Sequence, residues 1–435
     1  MLADQISSRS NTLSVINDHL LDASAPRIAG FAHPTALGKS TQFACGPKNT
    51  RSAASMSRPM RNVLILQRVL PSYRVPFFRA LHERLSAVGT KLTLLYGKER
   101  RGEVPTTTLI DDEWAHQVTN LYMSLRGTTA VVQMVGSRMR QSDLVIVEHA
   151  NQLLINYWLL GSRSPATRKV ALWGHGRNLQ SPTTSGLREA IKRTTLARAD
   201  WWFTYTDGGR RIVEAEGFPT SRITVVNNSV DTARLADAIM SANDGTIAAL
   251  RAQLGIDSRN VAIYCGGMYP AKRLEFLLAA AVAIRALVPD FHLILVGSGP
   301  TQALASQASV QYSWIHYVGP KLGVELATIY RIGKVILMPG LVGLVIVDSF
   351  IASLPLFTTK LSAHGPEIEY LKSGVNGIAT ENDIDAYSMA VVDHLVNEDK
   401  LSSLVEGCIE SAKLFSIEQM VERFAQGIDD CLSVR

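Results

Sequence analysis

Cysteine is scarce. Cys45, Cys265, Cys408 and Cys431 are the whole complement of 435 residues, too widely spaced for a CxxC redox or zinc pattern and too few for a disulfide framework in a chain this long. A reducing compartment is the expectation. Aromatic residues amount to 7%, and no stretch interleaves them with arginine in the way of proteins that stack on nucleic acid, which sets that partner aside. Long apolar runs are missing too: a spanning helix needs roughly 18 or more such residues, and the nearest approach, Val335 to Phe357, is broken by Pro339, Asp348 and Pro355. That stretch reads as strand, turn, helix and strand in a core. A secretory signal is not expected either, because no basic segment followed by an apolar one opens the chain. No Gly-x-Ser-x-Gly marks a hydrolase nucleophile.

What is present is enough apolar material, 46% against 19% charged, to offset the ordering entropy of two or three domains. Lys and Arg total 44 and Asp and Glu 38, a net charge of +6 that favours anionic partners such as nucleotides, phosphorylated substrates or acidic lipid. Residues 1–60 differ from the rest, with neither Trp nor Tyr and no sustained periodicity. They are expected to be disordered, a weak transit-like segment, or translated upstream sequence with the start at Met56 or Met60. Gly38-Lys-Ser-Thr41 looks like the end of a phosphate loop, but the first glycine of that motif would fall at His33.

From Asn62 onward, short Val/Ile/Leu runs alternate with helical segments, the pattern of parallel strands covered on both faces. One set of strands is predicted at Asn62–Gln67, Lys91–Tyr96, Leu144–Glu148, Val170–Trp173, Trp202–Tyr205 and Ile223–Val226. A second falls at Val261–Tyr264, His292–Val296, Ile315–Val318, Val335–Met338 and Pro355–Phe357, with helices that include Arg273–Leu287, Leu344–Ala352, Ile368–Lys372 and Ile384–Val396. The fold class is therefore α/β, with two doubly wound, Rossmann-like domains facing a cleft. The expected divisions are 61–230, 231–414 and a closing helix, 415–435, that returns toward the first domain; the Asn228–Asp231 stretch is among the hinges. Ligands of such sheets bind at the carboxyl ends of the strands.

Several motifs fall at those ends. Cys265-Gly-Gly-Met-Tyr-Pro-Ala-Lys-Arg273 follows a strand, and its glycines let backbone approach a ligand while Lys272 and Arg273 bring positive charge to a diphosphate; a plain turn with a solvated lysine is the bland reading. Asp348 sits in an apolar helix and needs a hydrogen-bonding partner, either a ligand hydroxyl or neighbouring backbone. In Leu172-Trp-Gly-His-Gly-Arg-Asn178, flanking glycines hold His175 on a tight loop. Arg68 and Arg74 stand after the first strand, able to reach donor phosphate or an anionic acceptor, or else simply solvated. Arg188, Lys192 and Arg193 on a helix over Leu187–Ala197 make a basic strip suited to acidic headgroups, or a solvated face. Val296-Gly-Ser-Gly299 lacks the third glycine of a dinucleotide fingerprint, and Asp383-Ile-Asp385 reads as a helix cap rather than a metal motif.

Asn62 to the C-terminus resembles the retaining GT-B glycosyltransferases of family 4, nucleotide-sugar enzymes that build bacterial polysaccharides and glycolipids. In that family an Arg and, five residues on, a Lys clamp the donor diphosphate. Lys272 matches the Lys, whereas Gly267 holds the Arg position, which leaves Arg273 or another residue as the second cation. The family's Glu-x7-Glu falls on Gly340 and Asp348: Asp348 keeps the ribose-binding chemistry, and Gly340 does not keep that of the sugar-side Glu. The resemblance also implies that Glu367 faces the cleft, that Gly340–Gly343 backbone lines the donor site, and that His175 lies beside the reacting sugar. Tyr73-Arg-Val-Pro-Phe-Phe78 is similar to the opening of some members. The implied protein is a cytoplasmic transferase that takes a nucleotide diphosphate sugar as co-substrate, needs no metal or other cofactor, acts on a glycan or lipid-linked acceptor, and makes peripheral contact with the inner face of the plasma membrane. Alternatives are a nucleotide-sugar 2-epimerase on the same fold and a non-catalytic nucleotide-sugar-binding protein.

Overall fold

Runs such as Val63-Leu-Ile-Leu66 and Val261-Ala-Ile-Tyr264 are buried throughout, and strands apolar on both faces require a covered, parallel sheet. The computed structural model, which describes residues 60–103, 106–125, 128–161, 168–176, 197–361 and 364–434, contains two of them. The first joins β1 (Arg61–Gln67), β2 (Thr90–Tyr96), β3 (Ala115–Gln117), β6 (Leu144–Glu148), β7 (Lys169–Gly174), β8 (Trp201–Thr204) and β9 (Ile223–Val225) in the order β3-β2-β1-β6-β7-β8-β9. All its pairings are parallel. An antiparallel hairpin, β4 (Asn120–Leu125) and β5 (Thr128–Gln133), is separate from it. The second sheet has the order β12-β11-β10-β13-β14-β15, from β10 (Val261–Cys265), β11 (His292–Val296), β12 (Ile315–Gly319), β13 (Val335–Leu337), β14 (Leu356–Thr359) and β15 (Gly377–Thr380).

Each sheet has its own core. The chain crosses between them twice, and the crossings are bonded together: Ser229 Oγ donates to the Phe415 carbonyl at 2.6 Å and the Ile417 amide to Thr232 Oγ1 at 3.0 Å. Asn227, just before, has φ of 53°. The final helix, Ile417–Ser433, lays Met420, Phe424, Ile428 and Cys431 into the core of the first sheet. Phe424 stacks on Phe203 with centroids 4.3 Å apart and meets Phe77 and Trp173 edge-on. Phe424→Ala should therefore lower stability by about 3–5 kcal/mol, read by urea unfolding; a loss below about 1 kcal/mol would mean the helix adds little to that core.

Val335 to Phe357 is strand, helix (Val345–Ile351) and strand, as its prolines indicated, and no helix among the described residues is long and apolar enough to cross a membrane. Ile368–Lys372 is not an α-helix. Pro366 opens a 3-10 turn over Pro366–Tyr370 whose side chains are bonded to the first domain. Residues 1–59, the Leu187–196 part of the basic helix with Arg188, Lys192 and Arg193, and Arg177–Asn178 lie outside the described residues.

Candidate active site

On the second domain, β10 ends at Cys265 and the chain turns through Gly266 and Gly267 into a 3-10 turn, Pro270–Lys272. Lys272 is only 6% exposed. Its Nζ donates to the Leu341 carbonyl at 2.6 Å and lies 5.5 Å from the Tyr269 ring centre. Burial pushes the ammonium down to about 8, against the opposing pull of Cys265 and Glu367. The Val296-Gly-Ser-Gly loop serves this turn: Met268 N donates to Ser298 O at 2.8 Å, and a Cβ on Gly297 would overlap the Gly266 carbonyl. Its glycines answer to loop packing.

Gly340 is a second point of close backbone approach in the wall. A Cβ there would overlap the Lys272 carbonyl and lie 2.5 Å from that of Ala271, while Leu341 N donates to Ala271 O at 2.9 Å. With Lys272 in this position no glutamate side chain can grow from residue 340, which is a physical reason for glycine where the enzymes the sequence resembles have their first Glu. Gly343, by contrast, has open space where a Cβ would be. Arg273, expected as the second phosphate cation, is engaged elsewhere. It lies 4.3 Å from the Phe276 ring centre and donates to Thr359 Oγ1 at 3.2 Å and Asn382 Oδ1 at 2.5 Å. Thr359 Oγ1 in turn donates to Pro339 O at 2.7 Å, so Arg273 props the glycine loop from behind.

Asp348 stands in the first turn of the Val345–Ile351 helix with Tyr330 OH 3.5 Å from Oδ2, and burial pushes its carboxyl up to about 7. Cys265 is within reach of both Asp348 and Lys272 electrostatically. His364 is locked as the Nε2–H tautomer: Nε2 donates to Thr359 O at 2.7 Å and Nδ1 accepts from Val342 N at 3.1 Å. Glu367, 6% exposed, does double service, because its Oε1 accepts from Asn228 Nδ2 of the interdomain crossing at 2.6 Å. Two residues on, Glu369 Oε2 accepts from Gly208 N at 2.7 Å, in the first turn of the Asp207–Ala215 helix, where a negative charge is favoured.

The facing wall comes from the first sheet. His175 follows β7, and Gly176 at φ 76° turns the chain so tightly that a Cβ would lie 2.7 Å from Gly209 O. The His175 ring sits 4.5 Å from that of Tyr205, and burial, then the charge of Arg74, push it down to about 4, so it is neutral at pH 7. Arg74, in the 3-10 turn Ser72–Arg74 after β1, is 5% exposed and lies 4.8 Å and 5.3 Å from the ring centres of Trp173 and Tyr205. Arg68 is held in the first domain by Glu103 Oε2 at 3.1 Å and Tyr122 OH at 3.3 Å.

Sequence reading missed Glu148. Strand order puts β6 between β1 and β7, so its last residue stands between the Arg68 and His175 loops, in register with Trp173. Burial pushes the Glu148 carboxyl up to about 7, while the Arg68 backbone and the charges of Arg68 and Arg74 pull the other way. Its signal was a lone charge ending an apolar strand. The two walls are electrostatically continuous. Arg74 on the first-domain wall and Lys272 on the second both feel the charge of Glu367.

Two parallel-sheet domains with strand ends and charged loops turned to one another define the GT-B class of folds. Residues 259–397 match the model of the family described as Glycosyl transferases group 1. A D-inositol 3-phosphate glycosyltransferase of Salinispora arenicola is 26% identical over 235 residues, 50% of this chain and 51% of that protein; the chain thus spans about half the length of this curated relative. Among solved structures, Anabaena Alr3699/HepE in complex with UDP superposes with a TM-score of 0.60 at 14% identity, over 85% of this chain and 100% of that one. A glycosyltransferase from Rickettsia africae ESF-5 does so with 0.62 at 11% identity, over 87% and 100%. The resemblance read from the motifs therefore holds for the GT-B fold, and the matched segment carries Lys272, Gly340, Asp348 and Glu367.

Proposed function

We propose that this chain is a glycosyltransferase that moves a sugar from a nucleotide diphosphate to a hydroxyl of a glycan or lipid-linked saccharide, with retention as in family 4 and without a metal. The observation that carries this reading is the buried Lys272 ammonium, fixed by the Leu341 carbonyl at the carboxyl end of β10 inside the matched segment. Departure of the sugar leaves charge on the diphosphate, and a cation already held in a water-poor site stabilises that charge without reorganising. Asp348 would receive the ribose hydroxyls, the Gly340–Gly343 backbone and Glu367 would line the donor site, and neutral His175 would hydrogen-bond the sugar or the incoming acceptor. UDP in a neighbouring structure of this fold supports a nucleotide donor. A groove of about 540 Å³ on the first domain, lined by Met134, Leu154, Trp158, Arg140 and Arg168, supports peripheral contact with an anionic membrane. Co-sedimentation with anionic but not neutral vesicles tests that contact.

The reading as a whole is tested by thermal shift over nucleoside diphosphates and their sugars, since a ligand that binds only the folded chain raises its melting temperature. One nucleotide should stand out, and its shift should shrink as pH rises through about 8, where Lys272 loses its charge. The sign for stability is opposite. The folded chain releases this proton near 8 and the unfolded chain near 10.5, so the unfolded state holds more protons between them and unliganded stability rises with pH across that window. No shift with any nucleotide would contradict the reading; a donor converted without acceptor would point to the epimerase.

A further inference from the structure

The first-domain wall holds a cation whose hydrogen bonding is incomplete. Arg74 is 5% exposed, yet its Nη1 has no hydrogen-bond partner among the described residues. His175 lies against the same Tyr205 ring, at 4.5 Å where the guanidinium is at 5.3 Å, and its Nδ1 is buried and likewise without a partner among them. A buried donor left without an acceptor costs about 1–3 kcal/mol, more when charged. The nearby carboxyls do not close the gap: Glu367 is bonded to Asn228 at 2.6 Å, and Glu148, raised to about 7 by burial, is half neutral at that pH. The aromatic faces of Trp173 and Tyr205 hold the guanidinium in place but accept nothing in its plane. An anionic oxygen group fits the guanidinium N–H and, in the Nδ1–H tautomer of the neutral ring, the imidazole N–H as well, with short, strong bonds to both. The donor diphosphate has its own cation, Lys272, on the other domain, so this second positive site is left for the other substrate.

We infer that Arg74 and His175 form a subsite for a carboxylate or phosphate carried by the acceptor saccharide, so that the protein selects acidic over neutral acceptors. The inference rests on the transferase reading and narrows its acceptor class. Binding of glucuronate, glucose 6-phosphate and glucose to the full chain saturated with UDP, followed by calorimetry, tests it. At least one acid should bind on the order of tenfold or more tightly than glucose, as expected of a charge-assisted bond, and which acid wins separates carboxylate from phosphate. Arg74→Gln should abolish that preference. Should this variant not fold, Arg74→Lys and His175→Gln are each expected to reduce the preference severalfold. If UDP does not bind the wild-type chain, the nucleotide selected by the thermal-shift screen takes its place, and binding of none would remove the transferase reading. UDP binding with all three saccharides equal or undetectable, a preference unchanged in the variants, or displacement of UDP by glucose 6-phosphate would each overturn the subsite alone.

Discussion

Lys272→Ala is expected to lower sugar transfer by on the order of a hundredfold or more, comparable to removing one preorganised stabiliser of developing charge. The same change should leave the fold intact or firmer. A cation that is 6% exposed and brought down to about 8 is held at a cost, and removing a strained buried charge relieves that cost even as it removes one hydrogen bond. Lower activity with an unchanged or raised melting temperature separates a chemical role from a structural one. Lys272→Arg should recover only part of the loss, because the bulkier fork does not fit the position from which Nζ reaches Leu341 O. Undiminished transfer in Lys272→Ala would remove the role assigned to this residue.

Gly340→Glu, which introduces the glutamate found at this position in the family 4 enzymes the sequence resembles, is expected to inactivate rather than activate. Its Cβ would overlap the Lys272 carbonyl, a backbone atom that cannot rotate away. The turn 270–272 must shift, at roughly 1–3 kcal/mol for overpacking, and it carries Lys272 with it. A displacement of about 1 Å in a catalytic group can cost about a hundredfold in rate. Gly340→Ala should show the same stability loss in urea unfolding and a comparable fall in transfer. Gly343→Ala, with open space at its Cβ, should be near neutral for stability. A glutamate variant more active than the parent would show that the two loops are not packed as described.

Much of this was legible because parallel strands covered on both faces leave continuous apolar runs: Leu144-Val-Ile-Val147 and Val261-Ala-Ile-Tyr264 could be nothing else. What escaped was short, edge-lying or half-exposed. The edge strand Ala115–Gln117 has three residues, and the hairpin exposes Leu121 and Met123, so neither shows an apolar run. The turn Pro366–Tyr370 took on the look of a helix because Ile368 and Tyr370 pack into the core of the second sheet, while the bonds that fix it as a turn, from Glu367, Glu369 and the Tyr370 hydroxyl, reach residues distant in sequence. At the site, His175 stood out through its flanking glycines and Lys272 through the Gly266-Gly267 turn that precedes it. Glu148 offered only a lone charge ending an apolar strand, and its place at the site depends on β6 lying between β1 and β7, a matter of strand order. Arg273 misled for a related reason: adjacency to Lys272 says nothing of direction, and its left-handed backbone, φ 56°, sends the side chain to Thr359 and Asn382.

The central claim is that the Lys272 ammonium meets the donor's diphosphate, and the most direct measurement is its own titration, followed by NMR of selectively labelled lysine with and without UDP. Free protein should titrate at about 8, and UDP should raise that value by about one unit or more, because an adjacent anion favours the charged form. A Lys272 signal that titrates identically in the two states, while UDP is bound, would contradict the account.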